Sequence, residues 1–238
     1  MRSQRYIDEL VFLRERVTDW NEYPYNVPCI RKFENIRFTN PVTFLLGDNG
    51  TGKTTILESI ALLAGLGIEG GSHRHGWTSK ERESKLAEAM RYIGGGLTMS
   101  SGRAFFYRAD MFAGFAKQIG SVDLVHVSRG EAFHALVDHF FDRQGLYLLD
   151  EPEVALPPTQ QLAFLRIMHD LVVSGSQFII VSHSPIILAY PDAMLYELSN
   201  DGVSEIDYES TDVYKTMHSF MLRRQTMLVE LFAEDDGP

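Results

Sequence analysis

Eight consecutive residues, Gly47-Asp48-Asn49-Gly50-Thr51-Gly52-Lys53-Thr54, match the pattern G-x-x-x-x-G-K-[ST]. The glycines let a loop curl until its backbone N–H groups converge on phosphate oxygens. A helix beginning at Lys53 would aim its positive dipole end at the same anion. Lys53 adds a mobile charge for the β- and γ-phosphates of a nucleotide. The Thr54 hydroxyl, followed by Thr55, suits Mg2+, a hard cation that takes oxygen ligands and keeps several waters. Two carboxylates, Asp150 and Glu151, end the run Gly145-Leu-Tyr-Leu-Leu-Asp150-Glu151-Pro152. Neighbouring strand residues face opposite ways, so Asp150 can serve the Mg2+ shell while Glu151 points to the γ-phosphate and orients or deprotonates water. His183, in Ser182-His183-Ser184-Pro185, stands where an imidazole could sense the γ-phosphate and hold the attacking water. The other seven histidines lack such a placement; the His73/His75 pair is a weak metal signal.

These groups need a sheet edge to bring them together. Residues 41–48 form a continuous apolar run ending in glycine, as a strand buried on both faces would. Within 53–64 the apolar positions Ile56, Leu57, Ile60, Leu63 and Ala64 share one helical face. Further core strands are expected at 104–108, 146–149 and 178–181, with edge strands near 194–198 and 203–207. A small peripheral insert with a helix over 80–92 fits the glycine-rich stretch from Gly65 to Gly102. Val213, Met217, Phe220, Met227 and Leu231 recur at near-helical spacing behind the caps Ser210, Thr211 and Asp212, which predicts a helix packed on the core. The acidic residues 234–236 are expected to fray.

Composition bounds the function. The 238 residues are 45% hydrophobic, enough for one sizeable core in a single α/β domain spanning 1–238. A net charge of −10 argues against coating nucleic acid by bulk charge and leaves only a local basic patch open. Cys29 is the only cysteine, which excludes an intramolecular disulfide and a cysteine-rich metal cluster. No apolar run approaches the ~20 residues of a membrane span. The opening MRSQRYIDEL carries acids where a secretory signal needs apolar residues. A soluble, cytoplasmic chain is the expectation.

Ser128-Arg129-Gly130-Glu131 precedes a helical pattern over 132–141. Alone it reads first as an N-cap serine with Glu131 completing a capping box, and second as an anion site at a helix start. Its place in the order matters. The phosphate loop, then S-x-G-E, then LLDEP with Asp150 22 residues after Ser128, then His183 33 residues later, resembles the ABC-type ATPase layout. The segments 23–31, 66–72, 105–110 and 175–185 extend this to a resemblance, over nearly the whole chain, to small stand-alone bacterial predicted ATPases related to the structural-maintenance-of-chromosomes and ABC groups.

That resemblance implies a P-loop NTPase fold: an ABC-ATPase-like head with a mixed sheet flanked by helices, in which 66–143 hold a small helical subdomain and the signature segment. It implies ATP and Mg2+. It also implies a homodimer in which Ser128, Gly130 and Glu131 of one subunit close over the ATP held by the other, with hydrolysis driving an unknown effector protein. By resemblance alone, nucleic acid is a possible effector, in repair or defence. The nucleotide-binding subunit of an ABC transporter is the alternative, placed second because the room for a full helical subdomain is missing. A phosphotransferase would need an arginine-rich lid, and a GTPase an N-K-x-D motif; neither is found. Pro157 stands where relatives are expected to carry serine. Arg108, Asp110 and Gln118 lie where the family's Mg2+-sensing glutamine belongs, and none of them fits convincingly. The 75 residues from Lys53 to Ser128 exclude long coiled-coil arms. Tyr25, Phe33 and Phe38 either stack on a base or fill the core.

Overall fold

A computed structural model describes residues 5–72, 84–94, 104–109, 141 and 144–233. Ser128, Gly130, Glu131, His73, His75, Asp110, Gln118 and the acidic end lie outside the described residues.

Ten strands and six helices are described. They are β1 (Glu9–Phe12), α1 (Pro28–Lys32), β2 (Asn35–Arg37), β3 (Val42–Gly47), α2 (Lys53–Leu63), β4 (Gly71–Ser72), α3 (Lys85–Glu88), β5 (Met90–Ile93), β6 (Ala104–Arg108) and β7 (Leu146–Asp150). They continue with α4 (Pro158–Val173), β8 (Gln177–Val181), α5 (Pro185–Leu188), β9 (Met194–Ser199), β10 (Gly202–Glu205) and α6 (Asp212–Phe232). Seven strands form a mixed sheet in the order β10-β9-β3-β8-β7-β6-β4. The inner five are mutually parallel, and the two edges, β10 and β4, are antiparallel to their neighbours.

Both faces of this sheet are covered, which is why its central strands read as unbroken apolar runs. Alternation sorts the side chains. Leu45, Phe106, Leu148, Ile179 and Val181 face α2, where Ile56, Leu57, Ile60 and Ala61 meet them. Phe44, Phe105, Tyr147, Leu149, Phe178 and Ile180 face Phe164 and Met168 of α4 and Ile187 and Leu188 of α5. A smaller antiparallel sheet, β2-β1-β5, adds Leu10, Phe12, Ile36 and Met90 to the first layer. Gln177 ties the two sheets together: its buried Oε1 accepts from the Tyr6 and Ile7 amides at 2.8 and 2.9 Å, and its Nε2 donates to the Ile7 carbonyl at 2.9 Å.

Three expectations are corrected. β9 is not an edge; it lies between β10 and β3. The helix expected over 80–92 is described only as the single turn α3, because 90–93 pair with β1 instead. The α6 stripe is not core: no residue of that helix is fully buried, and Met217, Met221, Leu222, Val229, Leu231 and Phe232 are exposed.

Candidate nucleotide site

The phosphate loop joins β3 to α2 at the carboxyl edge of the large sheet. Gly47 has φ 131°, and a Cβ there would stand 2.2 Å from the Leu198 carbonyl oxygen of β9. Gly52, just before α2, has φ 99°, in the left-handed region that L-residues resist. Inside the loop the Thr51 hydroxyl donates to the Asp48 carbonyl at 2.8 Å. Lys53 is buried, and its Nζ donates to the Gly47 and Asp48 carbonyls at 2.7 and 2.8 Å. Desolvation lowers the pKa of this ammonium, against the opposing pull of Glu151, Asp150 and Asp48. Its charge is therefore held over the curled loop, where the helix's first-turn amides also point.

β7 delivers Asp150 to the same edge, buried and paired in register with Val181 of β8. The Thr54 hydroxyl donates to Asp150 Oδ1 at 3.4 Å. Two oxygens on adjacent corners of a Mg2+ octahedron of ~2.1 Å radius lie ~3 Å apart, so this pair fits the ion. Among the described residues no group of three or more His, Cys, Asp and Glu side chains could cage a metal. A bound Mg2+ would thus rely on nucleotide oxygens and water besides Thr54 and Asp150.

Glu151 diverges from Asp150 for a reason other than strand alternation. β7 ends at Asp150, and Glu151 adopts φ 51°, ψ 54°, a left-handed conformation costly for a residue with a Cβ. Its amide donates to the Val181 carbonyl at 2.9 Å, which holds the turn. The Glu151 Oε1 comes within 4.0 Å of His183 Nε2, and both side chains are about 40% exposed. That nitrogen has no hydrogen-bond partner in the described structure. The nitrogen itself is shielded from solvent, although the ring as a whole is half-exposed.

An AAA-domain family model matches residues 25–90, the stretch holding the phosphate loop. The cytochrome c biogenesis ATP-binding export protein CcmA of Rhodopseudomonas palustris strain HaA2 is 27% identical over 159 residues, covering 60% of this chain and 78% of that protein. Its counterpart from strain BisB18 is 29% identical over 162 residues, covering 61% and 79%. Among solved structures, an ATP-binding subunit of an ABC transporter superposes with a TM-score of 0.49 at 18% identity, covering 96% of this chain and 98% of that one. The loop, the acidic strand end and the histidine share one sheet edge. In these features the chain is similar to ATP-binding proteins of the ABC type.

Several sequence candidates take definite positions in this chain. Tyr25, Phe33 and Phe38 are buried in the core, so the base-stacking alternative does not apply to them. The aromatic beside the loop is Tyr23, 61% exposed, with its hydroxyl 2.9 Å from Thr55 Oγ1. Sequence reasoning missed it; its neighbours in a tyrosine- and proline-rich stretch gave no sign of which ring faces out. Arg108 is held by Glu58 and by the Ile68 carbonyl. Pro157 precedes α4, where its carbonyl accepts from the Gln160 and Gln161 amides at 2.8 and 3.1 Å. An open cavity of about 550 Å³ flanks the loop, lined by Asp48, Asn49, Gly50, His183, Asp201 and Thr211 among others.

Proposed function

We propose that this chain is an ABC-type ATPase that hydrolyses Mg-ATP with Glu151 and His183 bracketing the attacking water, and that it works as the ATP-binding subunit of an export-type membrane complex. The 4.0 Å gap between Glu151 Oε1 and His183 Nε2 carries the catalytic part. In this reading Lys53 leaves the Gly47 and Asp48 carbonyls for the β- and γ-phosphates, which Asp48, Asn49, Gly50, Thr51 and Gly52 cradle with their amides. Thr54 and Asp150 hold Mg2+, which supplies neutralising charge when bound. Thr55 fixes the Tyr23 ring as a platform for the adenine. Glu151 accepts a proton from water as its oxygen bonds to the γ-phosphorus and the bond to the bridging oxygen breaks, giving ADP and phosphate.

The relatives' printed names, ATP-binding export proteins, support the transporter-subunit reading over one in DNA repair or defence. In it, chain 1–238 acts as one ATPase domain. A second copy supplies Ser128, Gly130 and Glu131 to the γ-phosphate, and membrane attachment runs through the partner's spans. Among the described residues no helix is long and apolar enough to cross a membrane.

Phosphate release with Mg-ATP, nucleotide binding and copurification test this together. Glu151→Gln should keep nucleotide affinity and lose kcat by about 10²-fold or more. It should also shift the chain to a dimer with ATP. Wild-type chain should copurify with an integral membrane protein. Full turnover by Glu151→Gln would overturn the catalytic assignment. Recovery with no membrane partner, and only a monomer with ATP, would overturn the assembly.

A further inference from the structure

Beyond Asp150 and Glu151, a third carboxylate is built into the back of the site. Glu153 lies two residues past Glu151, in the single 3-10 turn Pro152–Ala155. Its side chain turns inward, away from solvent, where desolvation raises its pKa and the hydrogen bonds it accepts oppose that rise. Both oxygens are occupied, one by each of two adjacent donors. Oε2 accepts from the Ser182 hydroxyl at 2.9 Å, and Oε1 accepts from the backbone N–H of His183 at 2.5 Å.

A second bridge runs alongside. The Ser184 hydroxyl donates to Gln161 Oε1 at 2.5 Å, and Gln161 Nε2 donates to the Leu156 carbonyl at 2.8 Å. The Ser184 amide donates to Ser182 Oγ at 3.1 Å, and the Glu151 amide to the Val181 carbonyl at 2.9 Å. Residues 181–184 are thereby fastened, one after another, to the segment that begins at Glu151.

We propose that Glu153 is a positioning residue: by gripping the amide of His183 and the hydroxyl of Ser182, it fixes the imidazole against Glu151, so that the turn after β7 and the turn after β8 shift as one body. This rests on the reading of His183 given above. An amide held by a carboxylate sets the peptide plane from which the His183 side chain departs, and charge-assisted bonds resist sliding better than neutral ones. A misplacement of about 1 Å at a reacting group can cost as much as 10²-fold in rate. An apolar or hydroxyl side chain at 153 has no two acceptor oxygens to offer the paired donors.

A double-mutant cycle decides it, using the full chain with Mg-ATP. Glu153→Gln removes the charge and leaves one carbonyl acceptor for two donors. It should lower kcat about tenfold. Nucleotide affinity should stay within about twofold of wild type, because Lys53 and its loop are untouched. In a His183→Ala background the same substitution should have no further effect on kcat, since Glu153 acts through that ring. If the two losses multiply, or if kcat and affinity fall together, Glu153 is structural and the proposal is overturned. If Glu153→Gln leaves kcat unchanged while His183→Ala lowers it, only the positioning role fails. A fully active His183→Ala sinks the role of the histidine and with it this one. Should Glu153→Gln not fold, Ser182→Ala, which removes one donor, takes its place in the cycle under the same criteria.

Discussion

Lys53 enters the folded chain at a cost, because its ammonium is buried against two carbonyls where an anion would serve better. Lys53→Met should therefore leave the melting temperature unchanged or raise it, while nucleotide affinity falls at least about tenfold by titration. Loss of both together would mean that the lysine is structural. Glu153 gives a pH-dependent counterpart. Its folded pKa lies above the ordinary 4.5, so across that window the folded chain binds more protons than the unfolded one. The resulting contribution is complete at low pH and is lost as pH rises from 4.5 through the elevated value. Denaturation midpoints measured between about pH 4 and 7 should fall in wild type relative to Glu153→Gln, and parallel curves would refute this.

At the scale of elements, Gln177 concentrates much of the join between the two sheets in one side chain. Gln177→Ala strands two backbone donors and one acceptor in a dry core, and should cost about 3 kcal/mol in denaturant unfolding. A loss below about 1 kcal/mol would show that Tyr6 and Ile7 find other partners. The elements also show where sequence is legible. β3, β7 and β8 are buried on both faces, so their apolar runs announced them, and α2 followed from its own periodicity. Residues 90–93 could not be read that way, because what makes them a strand is pairing with β1, some eighty positions upstream. The α6 stripe misled for the opposite reason: periodicity reports amphipathic helix, and says nothing about whether anything covers the apolar side. Within the site, the loop and Asp150 were legible from local spacing. The inward turn of Glu153 and the outward ring of Tyr23 depend on contacts with Ser182 and Thr55, remote in the chain.

For the whole molecule, charge separates the candidate roles. A net charge of −10 disfavours the phosphate neutralisation that duplex DNA requires. Phosphate release measured with and without duplex DNA, over a range of salt, should be flat; a salt-sensitive acceleration would return nucleic acid to the role of effector. At the centre of the sheet, β3 and β9 meet at a glycine. Gly47 lies so close to the Leu198 carbonyl that not even a methyl group fits between β3 and β9. Any residue other than glycine at 47 would force β3 and β9 apart directly beneath the phosphate loop, so that single position ties loop shape to sheet pairing.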